Sequence, residues 1–177
     1  MKTLVLYTSL TGFTRRYAEW IAEALGEEAK PLDEADEEAL ANAEVVIFGG
    51  SLHASGITGL AKLKERLPNP EAKHLAVFAV GATPTGDKLR EDLLSENFSA
   101  SERERIDFFY LRGGFDFRKL DFRHKIIMTL FKWKLSMQRD KSPDVVGMLE
   151  AYKNPVDFTR RDTIRGLVDR VEDIRSR

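Results

Sequence analysis

The seven residues Thr8-Ser9-Leu10-Thr11-Gly12-Phe13-Thr14 have the types and spacing to hold a phosphate. They follow the apolar run Leu4-Val5-Leu6-Tyr7 and open an amphipathic segment near Arg15. A strand, a hydroxyl-rich turn and a helix start bring backbone N–H groups to one point, where the helix dipole favours negative charge. The hydroxyls of Thr8, Ser9, Thr11 and Thr14 add uncharged donors. Neither lysine nor arginine lies within the turn, so neutral groups carry the binding. Gly12 supplies a positive φ or room for close backbone approach. An ordinary strand-to-helix turn with an N-cap threonine uses the same residue types. The neighbouring loops decide between these readings.

Two more strong strands end in loops of similar chemistry. Ala43–Phe48 runs into Gly49-Gly50-Ser51-Leu52-His53-Ala54-Ser55-Gly56, and Lys73–Val80 into Gly81-Ala82-Thr83-Pro84-Thr85-Gly86-Asp87. Both loops are longer than a plain turn requires. In an open parallel α/β sheet, ligands sit beyond the carboxyl ends of the strands, where strand order reverses. One phosphate site flanked by two such loops suits a flat ligand with a phosphate tail.

The elements that position these loops alternate. Thr3–Tyr7 reads as a strand apolar on both faces, as in the centre of a parallel sheet. Thr14–Leu25 reads as a helix with Tyr17, Ala18, Ile21 and Leu25 on one face, ended by Gly26. Ala29–Leu32 is a weak strand in an acidic patch. Helices are expected over Thr58–Arg66, Asp87–Asn97 and Arg160–Ser176, with a further strand at Ile106–Leu111. This alternation predicts a parallel sheet covered by helices on both sides.

Composition narrows the chemistry. The chain of 177 residues contains no cysteine, which excludes disulfides, thiolate metal ligands and cysteine nucleophiles. No serine–histidine–aspartate, cysteine–histidine or paired-carboxylate arrangement presents itself, and no metal site is expected. Lys2 precedes an apolar run too short for a signal peptide, and no segment has the apolar length of a membrane span. A cytoplasmic protein is expected. The net charge of −1 is unevenly spread: residues 118–141 carry eight basic and two acidic side chains, so an acidic body bears a basic segment. The acidic body argues against a nucleic-acid partner.

The chain resembles the flavodoxin family. The resemblance rests on Val5, Leu6, Tyr7, Ser9, Gly12, Thr14, Ala18 and Ile21, which match the family's first-loop pattern. It implies an α/β, flavodoxin-like, doubly wound five-stranded parallel sheet of order 2-1-3-4-5, forming a single domain over residues 1–177. It also implies noncovalent FMN. By position, Thr8, Ser9, Leu10, Thr11, Gly12, Phe13 and Thr14 would form the phosphate loop. Ser51, Leu52 and His53 would line one side of the flavin ring, with Gly81, Ala82 and Thr83 on the other.

Electron-carrier flavodoxins usually place aromatic residues and acids around the ring. Here neither flavin loop carries Trp, Tyr or Phe, and Asp87 is the lone acid at the edge. A less reducing flavin, with one face open to a substrate, is expected. His53 would stack on the ring or offer a proton near it; a solvated loop histidine is the other reading.

A helical insert at about residues 115–157 precedes the last helix. Leu120, Ile127, Leu130, Phe131 and Lys134 fall at helical spacing within it, preceded or opened by Phe115, Phe117 and Phe122. Basic residues among Trp and Phe are the composition of an interfacial helix, and a helix packed on the body is the alternative. The insert, the Met-Lys-Thr-Leu start and Leu111-Arg-Gly-Gly resemble the menaquinone-dependent protoporphyrinogen oxidase family, whose members are single-domain and flavodoxin-like. That resemblance implies an oxidoreductase passing electrons from a porphyrinogen to a quinone, with residues 115–141 touching the inner face of the membrane. Arg118, Arg123, Lys125 and Lys132 would hold lipid or substrate carboxylates. A soluble carrier serving a redox partner protein is the alternative, and apolar surface on the insert would also suit a homodimer.

Overall fold

The computed structural model describes residues 1–53, 55–119, 122–137, 146, 149, 152 and 154–177. The chain opens with β1 (Thr3–Thr8), α1 (Phe13–Leu25), β2 (Ala29–Pro31), α2 (Glu37–Asn42) and β3 (Val45–His53). It continues through β4 (Gly56–Ile57), α3 (Leu60–Arg66), β5 (His74–Gly81), α4 (Asp87–Asn97), α5 (Ala100–Arg103) and β6 (Ile106–Arg112). It closes with β7 (Gly114–Phe115), α6 (Phe122–Ser136), β8 (Val156–Asp157) and α7 (Arg165–Arg175).

Five strands pair in parallel in the order β2-β1-β3-β5-β6, and short β4 folds back antiparallel on β3. With β4 set aside, this is the expected order 2-1-3-4-5. The period of two along each strand builds two cores. Val5, Ile47, Phe78 and Val80 face α1 and α7, meeting Tyr17, Ala18, Ile21, Leu167 and Val171. Leu6, Val46, Phe48 and Val77 face the other way, meeting Leu40, Leu60, Leu63 and Leu93. Burial on both faces explains the near-continuous apolar runs of β1, β3 and β5.

Helix α1 buries Tyr17, Ala18, Ile21 and Leu25, the face its spacing predicts. Gly26 ends it at φ 71°, a conformation glycine adopts without a Cβ penalty.

One expectation is corrected. The stretch Gly49–His53 is not loop but strand: β3 runs through it, pairing with β1 as far as Gly50 and with β5 as far as Ser51. A Cβ on Gly49 would strike the Phe78 ring, and one on Gly50 would strike Ile57 and Thr58. These glycines allow close approach in a packed sheet rather than a turn.

Beyond β6 the chain forms a two-stranded base: β7 pairs antiparallel with β8, Gly114 opposite Asp157 and Phe115 opposite Val156. Helix α6 lies between them in sequence. Tyr152 ties it to the base, because its hydroxyl donates to the Met128 carbonyl at 2.9 Å and its ring meets Phe115 and Phe117. Burial pushes the Tyr152 phenol up to about 12, so it stays a donor. Phe122, Ile126, Leu130, Trp133 and Met137 recur at helical spacing and are all exposed, Phe122 at 78% and Trp133 at 64%. Leu120 and the side chains of Arg123, Ile127, Phe131 and Lys134 lie outside the described residues. No helix among the described residues is long and apolar enough to cross a membrane.

Candidate functional site

The first loop is built around Gly12, which takes φ 92° and caps α1 without a side-chain hydrogen bond. A Cβ there would meet nothing within 4 Å, so the backbone conformation, not space, selects glycine. The threonine cap of the plainer reading is therefore not what starts this helix. The Ser9 hydroxyl accepts from the Gly12 N–H at 3.1 Å, which curls the turn. The Arg16 N–H reaches the Gly12 carbonyl at 3.0 Å and begins the helical ladder. No acid occupies the first turn of α1. Thr8, Ser9 and Thr11 are half-buried, and Gly12 is exposed. Phe13 is buried in the core.

Thr14 and Ser51 join the first loop to the end of β3. Both are buried, and their hydroxyls lie 2.8 Å apart. Ser51 Oγ also accepts from the Leu10 N–H at 3.2 Å, while its carbonyl accepts from Thr58 N–H at 2.9 Å. These two hydroxyls position the loop as well as supplying polar groups to it. The reversal after β3 is then short: Leu52 is half-buried, His53 is exposed, and they pair with Ile57 and Gly56. Gly59, at φ 86°, lets α3 start beside Thr8, whose side chain a Cβ at that position would strike.

The third loop leaves β5 at Gly81. A Cβ on Gly81 would crowd Leu52 and the Tyr110 hydroxyl, so this glycine lets the second and third loops approach. Strand β6 holds the third loop. Gly113 N–H donates to the Gly81 carbonyl at 2.8 Å, Arg112 Nε–H to Ala82 at 3.1 Å and Tyr110 O–H to Thr83 at 2.7 Å. Burial pushes the Tyr110 phenol up to about 12, which keeps it protonated and donating.

The base of the insert is bonded to both ends of this arrangement. Arg16, in the first turns of α1, donates to Asp157 at 2.6 Å and to Thr159 at 2.9 Å. The Arg112 guanidinium stacks 3.8 Å from the Phe158 ring centroid. Tyr17 links the same regions from below, donating to the Arg112 carbonyl and accepting from the Arg160 N–H. At the entrance to the insert, the Arg118 guanidinium bonded to buried Asp116 holds its carboxyl below the usual carboxylate range.

No cluster of three or more metal-ligating side chains exists among the described residues. Two surface hollows lie elsewhere, one at the opening of β1 around Thr3–Leu6 and one against Ala24 and Arg165. The three loops instead form an open edge, with a bare helix start at one end and backbone-rich walls at the other. An anionic tail fits the first end because the first turn of α1 carries no acidic side chain.

The flavodoxin-domain family profile matches residues 4–142. The chain belongs to the flavodoxin family. FMN is its cofactor, and the fold is that of flavoproteins in oxidoreduction and electron transfer. No curated protein sequence matches. Among solved structures, this flavodoxin-family chain is similar to a flavodoxin from the domain Archaea at 20% identity and TM-score 0.44, covering 62% of this chain and 83% of that one. It is similar to flavodoxin 1 of Bacillus cereus at 18% identity and TM-score 0.44, covering 63% and 84%. An apo NADH:FMN oxidoreductase matches at 17% identity and TM-score 0.38, covering 82% and 94%.

Several residues at this flavodoxin-family site carry no sequence signature. Tyr110, Arg112, Arg16 and Asp157 hold the loops from a distance. The Arg-Gly-Gly that ends β6 is the sole local hint, since Gly113 and Gly114 fit closely against Val80 and Phe13.

Proposed function

We propose that this flavodoxin-family protein is an FMN-dependent oxidoreductase that moves electrons from a porphyrinogen-type substrate to a quinone at an anionic membrane surface. Each turnover takes two electrons and two protons from the substrate and leaves the quinone as quinol. Bound FMN supplies the hydride and electron chemistry. The chain's own residues bind and orient it: Thr8, Ser9, Leu10, Thr11, Gly12, Phe13 and Thr14 around the phosphate, Ser51, Leu52 and His53 beside one face of the ring, and Gly81, Ala82 and Thr83 beside the other. His53, exposed at the end of β3, would stack on the ring or offer a proton near it.

The observation that carries this reading is the apolar stripe of α6, with exposed Lys132 and half-buried Lys125 on the same helix. Apolar side chains beside lysines suit an interface with anionic lipid, which a soluble carrier does not need. Arg118 and Arg123, at the start of the insert, would meet lipid headgroups or substrate propionates. The body bears the opposite charge, which turns it away from such a surface. A cytoplasmic protein resting on the inner face of the membrane follows.

Anaerobic oxidation of a porphyrinogen with a soluble quinone as acceptor tests the reading. Quinone-dependent porphyrin formation is the expected result. Reduction of a partner protein with no porphyrinogen turnover would establish the carrier reading instead.

A further inference from the structure

Three consecutive carbonyls of the third loop face the same neighbour. Those of Gly81, Ala82 and Thr83 accept from the Gly113 N–H, Arg112 Nε–H and Tyr110 O–H of the β6 side. An extended strand turns successive carbonyls to opposite sides, so this run departs from strand geometry just after β5 ends. Each peptide is planar and trans, which sets the N–H opposite the carbonyl of its own plane. The N–H of Ala82 opposes the Gly81 carbonyl, and the N–H of Thr83 opposes that of Ala82. Both N–H groups therefore aim away from the β6 donors that hold the carbonyls of their own planes. The next plane ends in Pro84, which has no N–H, so no third donor is left to satisfy.

Two successive N–H groups on one side form a small concavity for an electron-rich atom. Ala82 is half-buried and Thr83 exposed, so a ligand can reach it. Only the Gly81 bond is made by backbone. The other two depend on side chains, and the Phe158 ring holds the Arg112 guanidinium in place.

We propose that Arg112 and Tyr110 are positioning residues that hold the third loop from β6, so that its Ala82 and Thr83 N–H groups receive the carbonyl-bearing edge of the flavin. This rests on the FMN reading of that loop. Negative charge builds on that edge when the flavin is reduced, so donors fixed there favour the reduced form. The clamp then sets potential as well as affinity, which a merely structural contact would not do.

The test uses the full chain and the variants Tyr110→Phe, Arg112→Met and Arg112→Lys. Tyr110→Phe removes a single oxygen and keeps the ring, so it folds even if an Arg112 variant does not. FMN affinity is read by fluorescence titration of apoprotein, the flavin midpoint potential by reductive titration, and the Ala82 and Thr83 amides by hydrogen exchange without flavin. Loss of one such hydrogen bond weakens FMN binding about tenfold. Tyr110→Phe and Arg112→Met are expected to show that loss, a lower potential and faster exchange at both amides. Arg112→Lys keeps a donor without the planar fork, so it is expected to fall between wild type and Arg112→Met in affinity, potential and exchange alike. Wild-type affinity and potential in both Tyr110→Phe and Arg112→Met would overturn the clamp while leaving the FMN reading intact. A wild-type protein that takes up no FMN would overturn both.

Discussion

The hydroxyls of Thr14 and Ser51 lie 2.8 Å apart and buried, although 37 positions separate them in the chain. One belongs to the first turn of α1 and the other to the end of β3, so the bond fastens the first loop to the centre of the sheet. The Leu10 N–H completes the group by donating to the same Ser51 oxygen.

Replacing Ser51 by alanine strands the Thr14 hydroxyl in the interior and removes the acceptor of Leu10. A buried polar group left without a partner costs about 1–3 kcal/mol. Urea unfolding of apoprotein is expected to show a loss of that size in Ser51→Ala. The double variant with Thr14→Ala is expected to lose less than the two single losses added together. Strict additivity would show that the two hydroxyls do not work as a pair.

Gly12→Ala probes the first loop without adding a clash, since a Cβ there meets no atom within 4 Å. The left-handed conformation costs a side-chain-bearing residue about 1–2 kcal/mol. If the loop holds the phosphate, the variant weakens FMN binding while leaving riboflavin, which has no phosphate, nearly unaffected. Calorimetric titration with both ligands reads the difference. Equal loss for the two would move the phosphate elsewhere.

Asp157 makes the closure of the insert base sensitive to acid. Partial burial acts to raise its carboxyl, but hydrogen bonds from Thr159 and Arg16 outweigh it and hold it below the ordinary value. A depressed folded-state value means the contribution is fully present above the unfolded value of about 3.9 and is lost as pH falls through the folded value. The Arg16–Asp157 pair is about half exposed, so Asp157→Asn should cost at most about 1 kcal/mol at neutral pH. In urea unfolding, the gap between wild type and variant should close as pH falls below about 4. A gap constant from neutral to acid pH would deny Asp157 this role.

The stripe on α6 makes a prediction about lipid. Wild-type protein is expected to sediment with vesicles rich in anionic lipid, and less so as salt rises, because basic residues contribute through a screened field. Leu130→Glu and Trp133→Glu place charge where both side chains are exposed. They should release the protein from vesicles and leave its melting temperature within a few degrees of wild type. Undiminished sedimentation would remove the membrane surface from the account. Dimerisation that these variants abolish would assign the stripe to a second copy of the chain.

Legibility in the sequence followed locality. The strands β1, β3 and β5 announce themselves because burial on both faces requires unbroken apolar runs. Helix α1 does so through its spacing and through Gly26. The first loop is legible because its donors are contiguous. Gly49 and Gly50 mislead, since glycine serves a turn and a tight sheet contact equally well, and only the partner Phe78 distinguishes them. The clamp on the third loop leaves no pattern, because Arg112 reaches a carbonyl 30 positions earlier and backbone carbonyls have no sequence identity. Tyr17 reaches 95 positions to the Arg112 carbonyl, and its helical spacing marks it only as core. The expected insert helix is present as α6. The exposure of Leu130 depends on what packs around it, which spacing does not encode.

Titration of apoprotein with FMN and with riboflavin, followed by flavin fluorescence, tests the central claim most directly. The account predicts one FMN per chain, held at least about a hundredfold more tightly than riboflavin, the equivalent of about 2.7 kcal/mol from the phosphate loop. Equal affinity for the two flavins, or no uptake of FMN, would contradict it.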